Sequence, residues 1–139
     1  MSRMRFTTLD HTADVGVEAY GRTLAEAFEN AAVGMFSQVV DVETIRPLVE
    51  RCVEVVAHDE GELLVSWLNE LVYLFDVENL VFSSFRIEEM SETRLRGCAY
   101  GEPVDPARHH LHLAIKSATY HGLQIRHDGE YAVRVIFDV

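Results

Sequence analysis

Thr23-Leu24-Ala25-Glu26-Ala27-Phe28, with the run that follows it to Val39, decides the fold class. Thr23 offers a hydroxyl at the N-cap and Glu26 a carboxylate three residues later, the two halves of a capping box. Behind them Leu24, Ala27, Phe28, Ala31, Ala32, Met35, Phe36 and Val39 recur at three- and four-residue spacings. That spacing predicts a helix from 24 to about 39 with one broad buried face. On its N-terminal side Val15, Val17 and Ala19 alternate within 14–20, which predicts a strand ended by Gly21 and Arg22.

Working towards the C-terminus, the valine-rich stretch Leu48–Ala57 reads as a strand. Asp59 and Glu62 repeat the capping-box logic and open a second helix running to about Phe75. Leu63, Leu64, Trp67, Leu68, Leu71, Val72 and Phe75 form its apolar face. Asp76–Asn79 reads as a loop, and Leu80–Glu88 with Thr93–Tyr100 as a hairpin. The prolines of Gly101–Pro106 predict another loop. Leu111, Leu113, Ile115, Leu123 and Ile125 alternate as one long strand, bulged at Gly122. Asp128-Gly129 supplies a tight turn into a last strand, Tyr131–Val139. Two amphipathic helices among half-buried strands, in an order that does not alternate strictly, imply an α+β two-layer domain with both helices on a mixed sheet.

The 139 residues suit one domain spanning 1–139, and 48% hydrophobic content can build a core. No apolar run approaches the roughly 18–20 residues that cross a bilayer, so no membrane association is expected. The N-terminus lacks a secretory apolar segment, and a cytoplasmic protein is expected. Cys52 and Cys98 have no metal-site or redox-motif spacing and read as two reduced thiols. Asp and Glu number 23 against 12 Lys and Arg, a formal net charge of -11. Nucleic-acid binding draws on basic residues that neutralise phosphates. Lys116 is the only lysine, so any RNA contact is expected to run through a partner. An acidic surface suits a basic protein or a cation.

Phosphate-loop, dinucleotide, nucleophile-elbow and HExxH motifs are absent. Three patches carry chemistry. Asp10-His11-Thr12-Ala13-Asp14 offers two carboxylates and an imidazole, either as ligands to a divalent ion or as ordinary turn chemistry. In Phe137-Asp138-Val139, Asp138 points away from the buried face and the terminal carboxylate adds a hard oxygen donor, either as a site suited to Ca²⁺, Mg²⁺ or Mn²⁺ or as a solvated chain end. His109, His110 and His112 precede Lys116 and His121. His110 and His112 would share a strand face, either as exposed histidines or as zinc or nickel ligands.

These blocks together resemble the archease family. Asp10–Gly16, Ala19-Tyr20-Gly21 and Thr23–Phe28 are similar to its opening motif. Trp67–Leu71 with Tyr73–Asp76 resembles its central helix. Gly101-Glu102-Pro103, Asp105-Pro106, His109, Lys116 and Thr119-Tyr120-His121 match its third block, and Arg134–Val139 its ending. The resemblance runs from end to end. It implies a non-enzymatic cofactor of the RtcB-type tRNA-splicing ligase, one that promotes guanylylation of the ligase histidine and multiple turnover. It implies a metal site on Asp14, Asp138 and Val139, with Ca²⁺ expected first. Lys116, His121 and His11 are implied functional neighbours. Ala114 departs from the acidic residue common in the family. Competing expectations are a metal-dependent phosphoester hydrolase, with water activated at Asp14 and Asp138, and a chaperone-like interaction module. An exposed edge strand could also support a homo-oligomer.

Overall fold

A computed structural model describes residues 4–10 and 15–139. Among the described residues, seven strands and two α-helices follow in the order β1 (Phe6–Asp10), β2 (Val15–Gly21), α1 (Leu24–Val39), β3 (Val49–Val56), α2 (Glu60–Glu78), β4 (Leu80–Met90), β5 (Arg94–Pro103), β6 (Ser117–Asp128) and β7 (Glu130–Asp138). A short 3-10 turn, Val42–Thr44, lies between α1 and β3.

Both helices begin where the caps predict. The Thr23 hydroxyl accepts from the Glu26 amide at 3.0 Å, and the Glu26 carboxylate reaches back to the Arg22 amide at 2.8 Å. At α2 the Asp59 carboxylate accepts from the Glu62 amide at 2.8 Å. This helix runs further than the sequence predicts. It absorbs Asp76–Glu78 and stops only at Asn79, whose left-handed φ of 57° lets its amide close on the Phe75 carbonyl at 3.1 Å.

The α+β class is the one adopted. The strands divide between two sheets, ordered β1-β2-β7-β6 and β3-β5-β4, and every pairing is antiparallel where a mixed sheet was expected. Each helix packs against strands of both sheets. Val33 and Gly34 are therefore buried outside the predicted face of α1. The core centres on Trp67, whose indole N–H donates to the Phe28 carbonyl at 3.2 Å, and on Phe36, Phe82 and Phe85 with ring centroids 5.6–6.3 Å apart.

Two further expectations need correcting. Residues 109–116 do not form a strand. The alternation of Leu111, Leu113 and Ile115 finds no ladder, only Ile115 is buried, and Leu111 is 47% exposed. The segment from 104 to 116 is instead tacked down singly, by Val104 N–H to Asn79 O, His112 N–H to Val39 O and Lys116 N–H to Asp138 O at 2.7–2.9 Å. The cysteines also depart from expectation. β3 and β5 pair Cys52 with Cys98 directly, and the two are joined as a disulfide rather than standing as reduced thiols. Pairing across the sheet, invisible in a sequence separation of 46, brings them together. The bulge at Gly122 is present: the β6–β7 register shifts between Thr119 and Gln124, and Gly122 takes a φ of +67° that a side chain would strain.

Candidate functional site

The start of β2, the end of β7 and the start of β6 meet at one end of the four-stranded sheet, since Val15 pairs with Phe137 and Ser117 with Asp138. Along β7, Val133, Val135 and Phe137 go to the core, so Asp138 is turned outwards and is exposed. The Ser117 hydroxyl donates to its carboxylate at 3.4 Å. Lys116, also exposed, donates its main-chain N–H to the Asp138 carbonyl at 2.8 Å. Val139 is 50% exposed beside them. The structure thus brings Lys116, Asp138 and Val139 to one strand end. Asp14 and His11 lie outside the described residues. His121 is exposed further along β6, in the bulged segment.

Asn69 holds this end in place, a role not read from the sequence. From α2 its side-chain oxygen accepts from the Ala118 amide at 2.7 Å and its NH₂ donates to the Ala118 carbonyl at 3.3 Å. The side-chain amide thus acts as one more rung on the outer edge of β6. The available signal was an asparagine, a poor helix former, lodged between the buried Leu68 and Leu71. Carboxylate, hydroxyl and main-chain oxygens are hard donors, and the chemistry of this set fits Ca²⁺, Mg²⁺ or Mn²⁺.

Beside it, β3, α2 and β6 border an open groove of about 660 Å³, with Glu54, Val56, Glu70, Tyr73, Ser117 and Tyr120 among its lining. Burial pushes the Tyr120 phenol up, and the Glu62 and Asp59 carboxylates add to the effect. Val56, Tyr73 and Tyr120 are each more than half exposed.

The histidine-rich stretch resolves differently. His109 is buried. The Asp105 amide donates to its Nδ1 at 2.8 Å, which leaves Nε2–H to donate to Glu102 at 3.2 Å. Glu102, only 3% exposed, also accepts from Arg108 at 2.6 Å and from the Arg46 amide at 2.7 Å. Burial alone would push its carboxyl up. The Arg108 guanidinium, the Arg46 amide and the Arg46 charge outweigh burial and hold it down at about 2, against an ordinary 4.5. Both ring nitrogens of His109 are thus spent inside the fold. His110 and His112 are exposed on the irregular segment, and the shared strand face expected of them does not form.

A family model described as the Archease protein family (MTH1598/TM1083) matches residues 6–139. The chain belongs to the archease family. It is 42% identical over 135 residues to the protein archease of Pyrococcus furiosus, covering 94% of this chain and 95% of that protein. To that of Sulfolobus acidocaldarius it is 38% identical over 137 residues, covering 97% and 99%. The solution structure of Methanobacterium thermoautotrophicum protein 1598 superposes with a TM-score of 0.82 at 37% identity, covering 97% of this chain and 99% of that one. A Thermotoga maritima structure, described as an archease and possible chaperone, shares the fold with a TM-score of 0.63 at 19% identity and full coverage of both chains. Both relatives carry the name protein archease.

Proposed function

We propose that this protein is a non-enzymatic, metal-binding activator of an RtcB-type RNA ligase, promoting guanylylation of the ligase histidine and its multiple turnover in tRNA splicing or RNA repair. The observation that carries the reading is the strand end, where Asp138 and Val139 offer exposed oxygen donors next to Lys116, in a chain of the archease family. Asp14, Asp138 and Val139 are the proposed ligands, for Ca²⁺ first, with Mg²⁺ or Mn²⁺ as alternatives. A bound divalent ion would supply positive charge for nucleotide phosphates. Asp138 presents an exposed carboxylate at the strand end, Asn69 ties the neighbouring Ala118 to α2, and Lys116 adjoins Asp138 through its main-chain N–H. Such a tip suits insertion into a basic, nucleotide-using active site, where its contribution is positioning and electrostatics. The net charge of -11 supports contact with RNA only through the ligase. Its site of action is the cytoplasm in this reading.

The test is multiple-turnover RNA ligation by the ligase from the same source, with and without this protein, for wild type and Asp14→Ala. Stimulation that disappears in Asp14→Ala is the expected result. Ligation that this protein does not stimulate would refute the role, and undiminished stimulation by Asp14→Ala would move the site elsewhere. Exposed Val56, Tyr73, Val77 and Tyr120 favour a second reading, a chaperone-like module. It expects suppressed aggregation of unrelated clients, equally strong in Asp138→Ala.

A further inference from the structure

The three-stranded sheet carries a second group of ligand-type side chains, far from the first in chemistry. Leu95, Gly97 and Ala99 of β5 turn to the core, so Cys98 faces the opposite side of the sheet. Cys52 and Glu50 of β3 share that outer face and are exposed. The sulfurs of Cys52 and Cys98 and a carboxylate oxygen of Glu50 all lie within 4.8 Å of one another. From β4, Glu88 places one oxygen 3.3 Å from the Cys98 sulfur, while its other oxygen is held by Arg86 at 3.4 Å. Two sulfurs and two carboxylates therefore converge from three adjacent strands. In a tetrahedral zinc site, Zn–S bonds of about 2.3 Å put neighbouring ligand atoms roughly 3.5–3.8 Å apart. Side-chain rotation alone can reach that spacing once the sulfurs are no longer bonded.

We propose that this face is a redox-gated site for one thiophilic divalent cation of the zinc class, bound by Cys52, Cys98 and Glu50, with Glu88 as fourth donor. In the disulfide form the sulfurs are bonded to each other and the site is closed. Cys52, being exposed, is open to attack by a dithiol. A thiolate of that dithiol bonds to the Cys52 sulfur and breaks its bond to Cys98, which leaves as a thiol after taking a proton. The second thiol of the reductant then displaces Cys52. The protein gains two electrons and two protons, and the dithiol departs as its own disulfide. The cation displaces the two thiol protons and offsets the gathered negative charge. Soft sulfur donors separate this site from the oxygen-only strand end, so the two select different ions.

Cobalt(II), whose thiolate charge-transfer and tetrahedral ligand-field absorptions report its ligands directly, is the probe, followed by zinc competition. Phosphine-reduced protein freed of reductant should bind one equivalent with both absorptions, and zinc should displace it. The oxidised protein should show neither absorption. Cys52→Ser should lose most of the charge-transfer intensity, and Glu50→Gln should weaken binding roughly tenfold or more. Asp138→Ala should leave the spectrum unchanged, and circular dichroism of each variant checks folding. The proposal is overturned if reduced wild type gives no thiolate–cobalt absorption, or if Glu50→Gln binds as tightly as wild type.

Discussion

Glu102 lies just before the irregular connection 104–116 and Asp138 takes a hydrogen bond from Lys116 at its far end, and the fold uses these carboxylates in opposite ways. Glu102 is enclosed at the end of β5, with Arg108, the Arg46 amide and His109 on its oxygens. Asp138 is turned outwards at the end of β7, with the Ser117 hydroxyl at a long 3.4 Å. In the sequence Glu102 lies close to Arg108 and His109, and Asp138 close to Arg134, so each has charged company when read as a string. A buried carboxylate whose lone pairs are already occupied fastens the chain, whereas an exposed one on a well-anchored strand end keeps lone pairs open to a ligand.

Substitutions should separate the two. Glu102→Ala leaves the Arg108 charge and His109 without their shared partner and should cost roughly 3–5 kcal/mol, read as a drop in the urea midpoint. Its pH dependence follows from the sign of the shift. The folded carboxyl lies below its unfolded value, so its contribution is complete above about pH 4.5 and is lost as pH falls towards 2. Acid titrations of wild type and Glu102→Gln should therefore diverge above that window and converge below it. Asn69→Ala removes both bonds to Ala118 and should cost roughly 1–3 kcal/mol. It should also raise amide exchange at Ala118, sharpening the contrast between the anchor and the tip. His110→Ala, on an exposed stretch that the histidine spacing made conspicuous, should shift stability by less than about 0.5 kcal/mol.

The helices were legible because caps and a 3.6-residue period are local signals, and both starts fall where Thr23 and Asp59 place them. Strand β1 went unread because Phe6–Asp10 is short and shows no sustained alternation; it forms because β2 offers it a partner edge. The opposite error arose at Leu111, Leu113 and Ile115, where alternation exists without a neighbouring strand to pair with. Asp138 and Lys116 could be named from the chain. Their meeting depends on β6 lying against β7, a long-range pairing that no local period encodes. The same limit hid the Cys52–Cys98 bridge and the hold of Asn69 on Ala118, each a contact between segments far apart in sequence.

In the function proposed, the Asp138 strand end works on a ligase partner and is dispensable for folding. The most direct test is the rate of GMP attachment to the ligase histidine, measured with wild type and Asp138→Ala alongside their urea midpoints. The prediction is a loss of stimulation of at least roughly tenfold, with stability unchanged within about 0.5 kcal/mol. Full stimulation by a folded Asp138→Ala protein would contradict it.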